Sequence, residues 1–399
     1  MSESVIIAAA TTALLASVAA AAARPDLVVR HARTVLALVS ILTLAAAAAL
    51  IDPRTPGFRM SLDPSEGPMI ADGDPGRLVY AEAVADFGHD DTYVIAMQTE
   101  DVFTYPALAT MRSISDEIRK LSGVRSVESL VETIAYRYLP DLDMVEVDSF
   151  VDEIPQGSTE LEDVRRRALT DAIYPRTLVN DDSTTAGINV SFRSMSDGEF
   201  IRAGLDDSIA AILARAGPAS FNVTGRQHIK SLTHAMMVRD LTRLIPLAVV
   251  VGATVARMAT GSLRSAVVPV GSSLVATLWV FGAMAWLGRP LTLITLVLGP
   301  TLICVGSVYG VHILARFDDL LRESGQARPA ALECLRYTRT PVLIAGGTTV
   351  AGFGALLLSD TPGIRELGSA CALGIMAVTL LSLTAVPAVL ALLAPRPVP

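Results

Sequence analysis

Lysine is almost absent from the 399-residue chain: Lys120 and Lys230 are its only two. Neither follows a glycine, so the Gly-Lys phosphate loop of an ATP motor is excluded. Cysteine is equally scarce. Cys304 and Cys371 lie in apolar runs and Cys334 in an arginine-rich connection, so the polar middle of the chain has no disulfide framework. Three cysteines and five scattered histidines give no zinc-type spacing, and neither a metal nor a cofactor is expected. HExxH and GxSxG are missing too, so the chain is not expected to be an enzyme.

Apolar sequence is plentiful. Hydrophobic residues make up 51% of the chain, and the mean hydropathy is +0.49. A bilayer core of ~30 Å needs about 20 mostly apolar residues in a helix. Six stretches meet or approach this: 34–51, 244–256, 266–287, 291–314, 342–358 and 364–393. The second is short and contains Pro246; it is expected to continue a helix that begins outside the bilayer.

Charge gives these spans a direction. Arginines cluster at 24, 30 and 33, at 257 and 264, and at 316, 322, 328, 336 and 339. By the positive-inside rule these ends are cytoplasmic. Between Asp52 and Asp240 lie 32 acidic and 18 basic residues, net −14, while the remainder carries +6. The acidic block is then expected outside the cytoplasm, and its charge argues against a nucleic-acid partner. The expected divisions are an alanine-rich segment (1–30), a first transmembrane helix (31–52), an extracytoplasmic domain (53–240), a five-helix bundle (241–395) and a tail (396–399). The alanine-rich segment leaves three readings open: an extra span, a surface-lying helix or an over-read start codon.

Within the block, periodicity switches between two and 3.6. "TYVIAMQTE" reads as a strand, and the helix after it aligns Leu108, Met111, Ile114, Ile118 and Leu121. "VRSVESLVET" and "TTAGINVSFRS" read as further strands. A helix then aligns Ile201, Leu205, Ile209 and Ile212, and "SFNVTG" is a last strand. Two βαβ units predict a ferredoxin-like sheet with helices on one face. His89, His228 and His234 read as surface or packing residues, not bases.

Five segments in order resemble one module of the resistance-nodulation-division (RND) superfamily, in its MMPL and hopanoid-exporter branch, which is related to sterol-sensing-domain proteins. They are "VTGRQHIKSLTHAMMVRDLTRLIPLAVV", "GSLRSAVVPV", "WLGRPLTLIT", "VGSVYGVHILARFDD" and "RTPVLIAGGTTVAGFGALLLSDTPGIRELGSACALG". The resemblance implies a polytopic α-helical membrane bundle with an inserted α+β, porter-type extracytoplasmic domain, in the bacterial inner membrane. It implies membrane lipids and a hydrophobic substrate as partners. It also implies a second RND-type module, a homodimer mate or a partner chain, because family chains usually carry two modules. The proton-driven members usually have an Asp before the Tyr of the fourth span; here that place is Val308.

Cys304, Val308, His312 and Arg316 form one i, i+4 stripe on the fourth span, with Ser307 and Tyr309 beside it. Polar residues inside a membrane are costly and usually functional. Ser307, Tyr309, His312 and Arg316 are therefore candidates for an ion path, or for hydrogen bonds between helices. Gly306, Gly310 and Gly347 read as close-packing positions. The expected function is an RND-type transporter half-module; a sterol-sensing-like scaffold or lipid sensor, and a protein-export accessory subunit, are the alternatives.

Overall fold

A computed structural model describes the chain except for residues 1–12, 14–15, 22, 52–58, 88–91, 140–142, 172, 218, 262 and 393–399. The chain forms two compact units, 76–235 and the remainder.

In the membrane unit, α1 (Pro25–Arg30) leads into α2 (Ala32–Leu50), the first of six helices among the described residues that are long and apolar enough to cross a membrane. A short strand, β1 (Leu62–Asp63), follows. In the sheet unit come α3 (Pro75–Phe87), β2 (Tyr93–Gln98), α4 (Tyr105–Arg119) and β3 (Val124–Glu128). Then come β4 (Ile134–Leu139), β5 (Met144–Ser149), α5 (Ser158–Thr170) and β6 (Thr185–Phe192). The unit's last elements before the second span are α6 (Asp197–Arg202), α7 (Leu205–Arg215) and β7 (Ser220–Gly225).

The sheet has the order β3-β6-β2-β7 with every neighbouring pair antiparallel. This is the split βαβ arrangement that the periodicity predicts. β2 alternates buried and half-buried, which puts Tyr93, Ile95 and Met97 in the core. Leu108, Met111, Ile114 and Ile118 of α4 meet Ile209 and Ile212 of α7 in the same core cluster. Thr104 caps α4, and Ser196 with Glu199 forms a capping box on α6.

The sequence reading missed three elements here. The acidic stretch after β3 contains the β4–β5 hairpin and α5, and α3 precedes the sheet. The first of these segments is held by Arg112 of α4, which donates to the carbonyls of Val131, Val151 and Asp152. Such pinning by one side chain leaves no periodic trace.

His228 is a packing residue, and a polar one. It lies 2.7 Å from the Asp206 carboxylate, which also accepts from the Tyr93 hydroxyl at 2.8 Å. Burial, reinforced by Asp206, pushes the Tyr93 phenol well above its usual range. Lys230 pairs with Asp197 at 2.8 Å. His89 lies outside the described residues.

The remaining spans follow. The second is α8 (Arg226–Thr260), one 35-residue helix whose first ten residues belong to the sheet unit. The third lies in α9 (Leu263–Trp286). After β8 (Leu291–Thr292), the fourth is α10 (Leu298–Ser324) with a 3-10 turn ahead of it. The fifth is α11 (Ala327–Ala355), and the sixth comprises α12 (Pro362–Leu383) and α13 (Ala385–Leu392). Pro387 cannot donate to the Leu383 carbonyl, and the helix breaks there, at Thr384.

Two boundaries differ from the sequence reading. The expected fourth span begins at residue 291, but Leu291–Thr292 pairs with β1 as a parallel strand and the α-helix starts at Leu298. The segment around β1 also runs along the ends of the spans: Gly363 packs against Pro68, and Arg365 pairs with Asp72. Second, Cys334 does not lie in a loop. α10 and α11 run on past their apolar stretches and turn only at Gly325, φ +67. Their extensions are amphipathic, so Phe317 and Leu320 bury against Ala330, Ala331 and Cys334. Of the alanine-rich segment, residues 16–21 are helical, and Val18 and Ala21 join that same cluster.

Candidate functional site

The fourth-span residues do not converge on one site. α10 divides them between opposite sides. Gly306 and Gly310 face the third span: a Cβ on Gly306 would lie 2.6 Å from Ser273 Oγ, and one on Gly310 2.6 Å from Pro269 Cβ. Glycine is what lets these helices approach. Ser307 is buried beside them and donates to the Cys304 carbonyl at 2.9 Å, within its own helix. Its Oγ faces Gly252 of the second span.

Tyr309 is also buried and does cross helices. Its hydroxyl lies 3.3 Å from Thr349 Oγ1 of the fifth span. Thr349 already donates to the Ala345 carbonyl at 2.8 Å, so Tyr309 is the donor. Interhelical bonds of this kind contribute about 0.6 kcal/mol. Thr349 escaped the sequence reading, although its place in "GGTTVAG" marks it as polar within an apolar run.

The other side of α10 faces out of the bundle. Cys304 and His312 are exposed, and Val308 is 50% exposed. Arg316 lies half-buried one turn on, with its guanidinium 4.8 Å from the Tyr337 ring. No hydrogen bond or ion pair joins Ser307, Tyr309, His312 and Arg316 to one another among the described residues. The i, i+4 spacing places the stripe on one face, as expected, and the bundle turns that face outward.

Gly347 is corrected by the structure. It is exposed, and nothing lies within 4 Å of a Cβ built there. The fifth-span glycine in tight contact is its neighbour Gly346, whose Cβ would meet Thr379 Oγ1 at 2.5 Å. Gly347, Ala351 and Ala355 instead form an exposed small-residue face with Ile344, which is 62% exposed.

Several other buried hydroxyls of the bundle bond within their own helices, whereas Ser382 Oγ is buried with no hydrogen-bond partner among the described residues. Ser273 donates to Pro269 O, Thr277 to Ser273 O and Thr379 to Ile375 O, at 2.7 to 2.9 Å. Each hydroxyl satisfies a backbone carbonyl, and those of Ser273 and Thr379 also lie against Gly306 and Gly346. The interior is thus mostly apolar, and the few hydroxyls it holds bond largely within their own helices. It contains no carboxylate from Leu298 to Arg316.

Six apolar helices and an inserted sheet domain define a polytopic helical membrane protein. Residues 81–399 match the MMPL family, and the chain belongs to it. The putative membrane protein MJ1562 of Methanocaldococcus jannaschii is 24% identical over 370 residues, 89% of each chain. The hopanoid transporter HpnN of Rhodopseudomonas palustris is 28% identical over 105 residues, 26% of this chain and 12% of that protein. The putative membrane protein SCO5905 of Streptomyces coelicolor is 27% identical over 226 residues, covering 54% of this chain and 26% of that one. MJ1562 is thus similar in extent to this chain, whereas the other two are several times longer than the part they share with it.

Proposed function

We propose that the chain is an RND-type transporter half-module that moves a lipid or another hydrophobic molecule together with a second module. The observation that carries this reading is the outward-facing stripe of Cys304, Val308 and His312 beside the small-residue face of the fifth span. Among the described residues these positions remain exposed, and small residues suit close contact with another helix. The match to part of a hopanoid transporter supports a lipid-like cargo. A second module supplies what the fourth span lacks, a carboxylate to carry coupling protons. The absent carboxylate also favours a second reading, a bundle that binds lipid without pumping it.

The two separate in proteoliposomes. The half-module reading expects the purified chain, with any partner that co-purifies, to move lipid in response to a proton gradient. Lipid binding with no gradient dependence in the complete assembly would favour the sensor. Native mass in mild detergent is expected to correspond to two modules.

Sidedness has its own test. The arginine-rich ends are cytoplasmic and the sheet domain extracytoplasmic in this proposal. Cys334 cannot report on this, because it is 1% exposed. Ser158 and Arg328 are both exposed. In intact cells Ser158→Cys is expected to react with an impermeant maleimide, and Arg328→Cys only after lysis. The reverse pattern would invert the topology.

A further inference from the structure

The second span is short of apolar length. Thirteen residues, 244–256, separate Arg243 from Arg257. At 1.5 Å each they cover about 20 Å, less than a hydrocarbon core of ~30 Å. α8 is nevertheless one continuous helix through this stretch. A membrane-crossing α8 therefore holds arginine at, or inside, the edge of the hydrocarbon, with its long side chain reaching toward the headgroups.

At the end nearer the sheet unit in sequence, two arginines share this position. Arg239 and Arg243 are one turn apart and so lie on one face. Both are exposed. The packed stripe of α8 is on the other side, where Met237, Ala248 and Ala256 are buried. Among the described residues, neither guanidinium has an ion pair or a hydrogen bond, although Asp240 is close in sequence. Leu247, Val250 and Val251, 55%, 60% and 49% exposed, continue the face toward the membrane centre. Pro246, also exposed, has no N–H to give to the Thr242 carbonyl. Thr242 is exposed, and its hydroxyl donates backward to the carbonyls of Val238 and Arg239.

We infer that this face binds an anionic phospholipid whose headgroup carries hydroxyls, as phosphatidylglycerol does. The phosphate sits between the two guanidiniums, whose planar forks match its oxygens. A headgroup hydroxyl donates to the Thr242 carbonyl, and an acyl chain follows Leu247, Val250 and Val251. Guanidinium at this depth has little water to solvate it, and the phosphates of the membrane are the available anions. The inference rests on α8 crossing the membrane and does not depend on transport.

The test is photo-crosslinking of the full chain in phosphatidylcholine nanodiscs. These are doped with photoreactive phosphatidylglycerol or, separately, with photoreactive phosphatidylcholine, and adducts are mapped by mass spectrometry. One basic residue at a membrane surface corresponds to about a fivefold preference for anionic lipid, so two give roughly 25-fold. Adducts on residues 239–251 are expected to favour phosphatidylglycerol to about that extent. Arg239→Gln with Arg243→Gln removes the preference there and leaves adducts at the arginine-rich turn around Gly325 unchanged. Each single variant removes about fivefold, which keeps the test intact if the double variant folds poorly. Added inorganic phosphate does not displace the lipid. Equal adducts from the two lipids, or a preference that survives in the double variant, overturns the proposal. The absence of adducts on 244–256 from either lipid overturns the membrane placement of α8, and the proposal with it.

Discussion

Replacing Gly225 by alanine is expected to remove most of the folded protein from the membrane. Gly225 closes β7 and begins the turn into α8, where it pairs with Tyr93 at φ +122. A Cβ there would overlap the Thr92 carbonyl oxygen and lie 3.0 Å from Tyr93 Cα. Both obstacles are backbone, and the backbone of β2 is fixed on its two sides by β6 and β7. Positive φ alone costs a non-glycine residue about 1–3 kcal/mol, and the overlap adds to that. The sum is a large part of a typical 5–15 kcal/mol of stability. The yield of monodisperse protein and its melting temperature report the outcome. Gly217→Ala is the control: φ is +94 there, but nothing lies within 4 Å of the added Cβ, so strain acts alone. A Gly225→Ala protein as stable as the Gly217→Ala protein would contradict this account of the turn.

A second large effect is expected from two leucine substitutions with opposite consequences. Gly310→Leu drives a side chain into Pro269, whose Cα lies 2.7 Å from the position of the new Cβ. Overpacking a core commonly costs 1–3 kcal/mol, and here relief requires the third and fourth spans to move apart. Gly310→Leu should therefore lose the folded bundle. At Gly347 nothing among the described residues lies within 4 Å of an added Cβ, and the position is exposed, so with Gly347→Leu the melting temperature of the single module should hold. Its effect should appear only in assembly. If a second module covers the fifth-span face, the leucine blocks close approach and the native mass in mild detergent falls to one module. An unchanged native mass would mean that the partner covers a different face or is absent. Oxidative cross-linking through Cys304 provides a parallel readout, since Cys334 and Cys371 are buried and Cys304 is exposed.

Much of the fold was legible in the sequence because it is written in periodicities. Runs of about twenty apolar residues marked the spans, and their arginine-rich ends marked the turns. Alternation in "TYVIAMQTE" and the 3.6-residue spacing of Leu108, Met111, Ile114 and Ile118 identified a strand and a helix correctly. The elements that were missed lack such a signal. α3 is exposed on nearly every side, so it shows no apolar stripe. The β4–β5 hairpin lies in acidic sequence and is held in part through Arg112. Cys334 was misplaced because the helical hairpin of α10 and α11 continues beyond the bilayer-length apolar runs, stabilised by its own packing.

The candidate site shows the same division. Sequence alone determined that the fourth span has no carboxylate, that Cys304, Val308 and His312 share one face, and that glycines crowd the fourth and fifth spans. Those follow from residue identity and from a helical repeat of 3.6. Only the tertiary structure decided which way each face points. It set Gly306 and Gly310 against the third span, left Gly347 open while Gly346 met Thr379, and paired Tyr309 with Thr349, forty residues away. A helix of small and apolar residues can turn any side to its neighbours, because lipid tails are about as apolar as the interior of the bundle. Its rotation is fixed by contacts between spans distant in sequence, and no local pattern encodes it.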